Sequence, residues 1–550
     1  MLRRMKLVLA LSTAMLTATP SAIGADMSLV GIGFICGAET AATPTGGAAS
    51  GVMLPGFGDA AFPIDTSSKE AAAWFNHGLR LYHAFAHDEA KAAFARAAAA
   101  DPSCSLCASG VALSLGPTLN TGITPLETVD ALKMAKRAGE LAKPGDARAR
   151  SLAEALQLRY GAETPAGGRE QAFGRALDAM VRADPGDNMI ANLAAHVLII
   201  PARQDDYSGV PRAIEILEMV LARSPDDSAA IHYYIHATEF AGRAPLALPY
   251  AERLADLSPG AGHLVHMGTH TMMRVGHYED VALNNARALK VDAGTQVGLA
   301  QSGSVSQRYY LHNYLFGLSG ALMAGDGALA VKYADHAATT FPKAAPERNR
   351  VLSRARSLVA LARFDPDRAL AVPAGKDDPR ILAIYRHYAR GEALAAKRDA
   401  KGVRREAAAI TALRSEGAKA TDLGGEMDLA QISEGVLLGR AAMIARKPNE
   451  AVGHFERAAL AQEKAFPVPK NFDPPPWWYP VRRSLAAAYL KAGKPTEAAA
   501  AARASLAEWP HDALALRILA RADKARASEY RAEAQKSWQG DLAKVPLDLT

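Results

Sequence analysis

His232 and His236 stand four residues apart, as do His266 and His270, and each member of the first pair precedes its counterpart in the second by 34 residues. A spacing of four puts both imidazoles of a pair on one face of a helix. A repeat of this length is one helical hairpin, and stacked hairpins set equivalent helices side by side. Four imidazoles brought to one face make a natural transition-metal site, because neutral imidazole is a good ligand for Zn, Cu, Fe and Ni.

The ladder is longer than two pairs. Asp101-Pro102, Asp184-Pro185, Ser224-Pro225, Ser258-Pro259, Phe341-Pro342 and Trp509-Pro510 punctuate the chain. Proline restricts the residue before it and suits the first turn of a new helix, so each pair marks a boundary. Counted from these prolines, His196, His236 and His270 each lie 11 residues on, His232 and His266 seven, His263 four and Glu239 fourteen. His312, counted back from Pro342, takes the register of His263. Positions four, seven, eleven and fourteen differ by three or four, so all eight residues are expected on one face of their helices.

His232, His236, His266 and His270 form the leading ligand set, with His263, His312 and His196 behind them. The set is large enough for two ions of copper, iron or zinc. Glu239 is a ligand, a residue that orients a ligand, or a general base. No H-E-x-x-H or carboxylate–histidine triad motif is present, so the reaction class does not follow. An unmetallated acid–base groove and simple descent by duplication are the competing readings. Duplication explains the register, but not why eight of the 15 histidines fall between 196 and 312.

Three other features bear on chemistry. Tyr82 and His83 fall at the same register as the ladder, whereas His77 and His87 read as packing and capping residues. Cys104-x-x-Cys107 reads as a disulfide, two core thiols, or a metal or redox pair. It has no following His for haem and no second C-x-x-C for a four-thiolate zinc site. Asp473-Pro-Pro-Pro-Trp-Trp-Tyr479 reads as a rigid connector, with a ligand surface as the other reading. There is no phosphate-binding Gly loop and no G-x-S-x-G elbow.

The elements that must position these residues are helical. Hydrophobic residues are 49% of the chain, charged residues 22% and aromatics 6%, with abundant alanine, a balance that favours folded helix. The net charge of +6 is spread over 550 residues without a long basic tract, which gives no support for nucleic-acid binding. Arg3, Arg4 and Lys6, the short apolar run Leu7 to Leu16 and small residues to Ala25 read as an export signal. That run is too short to span a bilayer and no later segment qualifies, so a periplasmic or secreted protein is expected. Ile35 is too bulky before Cys36 for a lipoprotein site.

The run Trp74, Gly78, Ala90, Phe94, Ala97 and Pro102 resembles a tetratricopeptide repeat, and Ala486, Tyr489, Ala498 and Pro510 match it more loosely, as do Tyr388, Gly391 and Ala395. Phe75–Leu79, Ala84–Ala90, Asp101–Cys107 and Leu115–Pro117 are similar to a group of exported bacterial tetratricopeptide proteins. The resemblance implies an all-α, tetratricopeptide-type α-solenoid over residues 68–515, with the histidine positions facing its concave groove; it implies no reaction. The expected organisation is a signal peptide (1–25), a flexible leader (26–67), an array with a His-lined groove (68–345), degenerate repeats (346–425) and C-terminal repeats with a terminal helix (426–550). Two functions are expected: a central metal site, with an enzymatic role left open, or a scaffold that binds a peptide or protein partner in its groove.

Overall fold

The computed structural model describes residues 52–300, 309–341, 347–417, 425–467 and 476–550. These form an all-α solenoid of helical hairpins with short connections, and no strand occurs among the described residues. The expected signal peptide lies outside the described residues, as does the leader up to residue 51.

Pro102, Pro185, Pro225, Pro259 and Pro510 do mark hairpin boundaries, while Pro342 lies outside the described residues, and aspartates complete the boundaries at Pro185 and Pro225. Asp187 caps the helix Asn188–Ile199 by accepting from the Ile190 amide, and Asp227 caps Ser228–Phe240 by accepting from Ala230. An Asp at this position satisfies an amide that the first helical turn leaves open. The next inward helix, Gly262–Val275, has no side-chain cap. Beside it the Gly260 amide donates to Gly56 O at 2.8 Å.

Gly56 belongs to a part of the expected leader that is not loose. Residues 52–67 carry no regular structure, yet they pack against the repeats. The Phe62 amide donates to Asn76 Oδ1 at 2.6 Å, the Ser228 hydroxyl donates to Asp59 at 3.2 Å, and the Arg148 guanidinium covers the Phe62 ring. The apolar residues Leu54, Phe57, Phe62 and Ile64 account for this: in a Gly- and Ala-rich stretch they supply enough surface to bury.

Large-into-small packing sets the hairpin geometry in the first repeat. Phe94 is fully buried between Gly78 and Gly110. A Cβ added at Gly110 would stand 2.4 Å from the Phe94 ring, and one at Gly78 would stand 2.8 Å away. Cys104 and Cys107 form a disulfide at the start of the helix Ser105–Leu115, with Cα atoms 5.3 Å apart. Trp477 and Trp478 are buried, and the Trp478 indole donates to the Tyr388 hydroxyl at 3.1 Å, as a packed connector would; residues 473–475 of that motif lie outside the described residues.

The superhelix closes on itself around the histidines. The first helix, Lys69–His83, touches Ser228–Phe240 some 150 residues later in the chain, where His83 Nδ1 meets the Tyr233 hydroxyl at 2.9 Å. Small rotations between successive hairpins add up along a solenoid. Here they bring the first hairpin onto the inner face of the middle ones.

Candidate metal centre

The inward helices Ser228–Phe240, Gly262–Val275 and Tyr310–Ala324 bring six histidines together as two triads. His232, His236 and His263 form one triad, and His266, His270 and His312 form the other. Within each triad one nitrogen per ring lies within 4.8 Å of the other two. The grouping differs from a simple pairing of the two i,i+4 pairs. His263 stands one turn before His266 and leans back to the first helix, while His312 from the third helix completes the second triad. The triads adjoin, with 5.7 Å between the His236 and His270 ring centroids and 6.0 Å between those of His263 and His266.

All six rings are buried. The inward face is not an open groove at these repeats, because the turn 84–86 fills it. Phe85 lies 4.4 Å from the His232 ring and 5.2 Å from that of His263, centroid to centroid. It holds φ of +58°, a conformation that a bulky side chain adopts only when its surroundings enforce it.

The backs of three of the six rings, those of His232, His266 and His270, are held by hydrogen bonds that place the ring proton. His232 Nδ1 lies 2.7 Å from the His83 carbonyl oxygen, which can only accept. His270 Nδ1 lies 3.0 Å from Glu239 Oε2, and His266 Nδ1 lies 2.7 Å from Asn285 Oδ1. The Asn285 amide nitrogen donates to Thr269 and to the Val281 carbonyl, which orients its oxygen toward the imidazole. Each of these three Nδ1 atoms therefore carries a proton, so in the neutral ring each Nε2 presents a lone pair to the cluster.

The consequence is sharpest in the second triad. His270 Nε2 and His312 Nε2 lie 3.0 and 2.8 Å from His266 Nε2. With both rings neutral, two of these three nitrogens, those of His266 and His270, turn lone pairs toward each other. Three nitrogens bound tetrahedrally at 2.0–2.1 Å stand roughly 3.3 Å apart, close to these separations. In the first triad His232 and His263 Nε2 atoms are 3.2 Å apart, and His236 Nε2 is buried without a hydrogen-bond partner among the described residues.

Burial keeps His232, His236, His263, His266 and His312 neutral and available as ligands. Burial lowers the His232 pKa to about 3 and that of His83 to about 4, and it holds His236, His263, His266 and His312 well below the ordinary value. Burial pushes the Glu239 carboxyl up, but His270 and Arg274 outweigh it and keep Glu239 a carboxylate. Its second oxygen accepts from Arg274 Nε at 3.1 Å. Both Glu239 oxygens are thus engaged, one on the back of a triad histidine.

His196 joins neither triad. Its Nδ1 lies 3.4 Å from the Tyr82 hydroxyl, its Nε2 accepts from the Leu119 amide at 3.4 Å, and its ring stacks on Tyr233 at 4.7 Å. His87 meets the Thr118 hydroxyl at 3.2 Å. Asn285, Phe85, Tyr309 and Asn120 are neighbours of the centre that the sequence did not single out. Tyr309 lies 4.2 Å from the His263 ring, centroid to centroid, and its hydroxyl accepts from Asn120 Nδ2 at 3.0 Å. Asn285 faces the triad from Tyr278–Ala300, the second helix of the hairpin, whereas the His ladder runs along the inner helices, so it carried no signal for Asn285.

No family model matches the chain, and no curated protein matches it. Among solved structures, the chain is similar to the APC/C hetero-tetramer Cut9-Hcn1, at 14% identity over 84% of this chain and 78% of that one, with a TM-score of 0.26. It is similar to the human IFIT1 dimer with m7Gppp-AAAA at 11% identity, over 75% and 86% of the two chains, with a TM-score of 0.29. Yeast Tom70 is similar at 13% identity, over 86% and 96%, with a TM-score of 0.29. The solenoid architecture described above rests on this chain's own hairpins.

Proposed function

We propose that this protein is an exported metalloprotein that binds two transition-metal ions, one in each histidine triad. The observation that carries this reading is the convergence of His270 and His312 Nε2 on His266 Nε2, at 3.0 and 2.8 Å, with His270 and His266 oriented from behind by Glu239 and Asn285. Hydrogen bonding of the far ring nitrogen to a carboxylate, amide or carbonyl is the usual support of a metal-ligating histidine. Neutral imidazoles without thiolate suit copper, zinc or iron(II).

Three protein ligands leave a coordination position free, as catalytic sites do and closed structural sites do not. We therefore favour a metal-dependent enzyme, with paired ions that polarise a substrate oxygen or activate a water. Glu239 then acts as a positioning residue through His270. The partner-binding alternative finds no open groove at these repeats, since Phe85 and its turn occupy it. Export is supported by the signal-like N-terminus and by the Cys104–Cys107 disulfide, which persists in oxidising compartments. No helix among the described residues is long and apolar enough to cross a membrane.

The test is elemental analysis of untagged protein reconstituted with Cu, Zn or Fe(II), alongside the His263→Gln and His312→Gln variants. Two ions per chain are expected in the parent, one in each variant and none when the two are combined. A parent that takes up none of the three metals overturns the reading.

A further inference from the structure

The loop between the helices Ser105–Leu115 and Pro125–Leu141 divides the histidine centre from a cavity of about 730 Å³. One side of this loop is buried against the centre. Leu119 and Asn120 are almost wholly covered; the Leu119 amide donates to His196, and Asn120 donates to Tyr309, whose ring lies on His263. Asn120 Oδ1 faces this region without a hydrogen-bond partner among the described residues. The loop's other side, with Pro117, Thr118, Thr121 and Ile123, lines the cavity. A single stretch of irregular backbone, nine residues from 116 to 124, is thus the shared wall. Loops of this kind, held on a rigid scaffold, commonly carry binding function.

The chemistry of the cavity selects an anion with an apolar body. Arg159, Arg169 and Arg203 line it with a single acidic residue, Glu170. Arg159 is matched by Glu170 at 2.7 Å, and Arg169 Nε donates to the Thr164 carbonyl. Arg203 is different. It is half-buried, and its guanidinium makes one long hydrogen bond, 3.4 Å to the Thr118 carbonyl, with no carboxylate against it among the described residues. Its planar fork of donors suits a bidentate carboxylate. Ile123, Tyr160, Ile200 and the two prolines at 117 and 125 supply the apolar wall, the mixture typical of a small-molecule site.

We infer that this cavity binds a small carboxylate with an apolar tail, anchored on Arg203, and that this is the substrate class delivered to the metal centre behind the 116–124 loop. The inference rests on the metal reading for its second half only; the carboxylate site stands on the cavity itself.

Octanoate is the probe, with 1-octanol as its uncharged counterpart, titrated calorimetrically into metal-free and Co(II)-loaded full-length protein. The expected result is saturable octanoate binding to the metal-free protein, at least tenfold weaker binding of 1-octanol, and at least a tenfold loss of octanoate affinity in Arg203→Gln. That variant keeps the parent metal stoichiometry, because Arg203 touches neither triad. Octanoate should also shift the visible Co(II) spectrum of the parent and leave that of Arg203→Gln unchanged at the same concentration. No saturable binding, or equal binding by Arg203→Gln, overturns the carboxylate site. Arg203-dependent binding with an unmoved Co(II) spectrum overturns the link to the centre. A protein that binds octanoate through Arg203 but takes up no metal overturns the metal reading and leaves the carboxylate site in place.

Discussion

Replacing Glu239 with Gln tests the second triad most directly. The carboxylate is 4% exposed and holds the Nδ1 proton of His270 at 3.0 Å. A divalent ion on His270 Nε2 would stand roughly 7 Å from the carboxylate, adding the imidazole width and a metal–nitrogen bond to that hydrogen bond. At an effective dielectric constant of about 20, one negative charge at that distance attracts a double positive charge by about 5 kcal/mol. Arg274, bound to the other oxygen, offsets part of this. The loss of a comparable supporting group typically lowers metal affinity by about 10- to 100-fold, or about 1.4–2.7 kcal/mol. Glu239→Gln should therefore weaken one of the two bound ions by at least tenfold and leave the other unchanged. The assay is competition against a chromophoric chelator, read as two sites, with far-UV circular dichroism to confirm that the helices persist. Two unaltered affinities would refute the argument that Glu239 acts through His270. A general-base role would instead lower turnover and leave both affinities intact.

Acid should destabilise the metal-free protein. Histidines with pKa depressed by burial stay neutral in the fold but take up protons near 6.5 when unfolded, so stability falls as pH drops from 6.5 toward the folded values of about 4 and about 3 for His83 and His232. These two residues alone contribute a loss of about 4 kcal/mol at pH 5; a urea midpoint that does not change between pH 7.5 and pH 5 would contradict this. Phe85→Gly removes the ring over His232 and His263 and relieves the positive φ, so chelator should strip metal faster than from the parent, while the emptied space costs up to about 3–5 kcal/mol in thermal stability. Equal stripping rates would show that Phe85 does not cover the site. Gly110→Ala forces a methyl against the Phe94 ring and should cost about 1–3 kcal/mol in a denaturant melt without altering metal stoichiometry.

The His ladder was legible because helical periodicity is local. Residues three, four and seven apart share a face whatever the tertiary context, and a repeat period copies that face from one hairpin to the next. That His232, His236, His263, His266, His270 and His312 share a face follows from counting; that this face is the inner one came from the resemblance to tetratricopeptide repeats. The same counting placed His196 with them, yet it lies outside both triads, because its ring is drawn to Tyr82, Tyr233 and the Leu119 amide. The packed strap at 52–67 was not legible either, since its few apolar residues carry no period.

What the sequence by itself determined is the all-α repeat architecture, the boundaries marked by proline, and the set of histidines that share one helix face. Only the tertiary structure decided how those histidines divide into two triads, which far-side partners fix their lone pairs, and that the inner face is closed. Those outcomes depend on the accumulated rotation between hairpins, which brings His83 and Phe85 onto residues 150 positions away. Rotation of this kind arises from the packing of many side chains at once, and no single spacing in the chain encodes it.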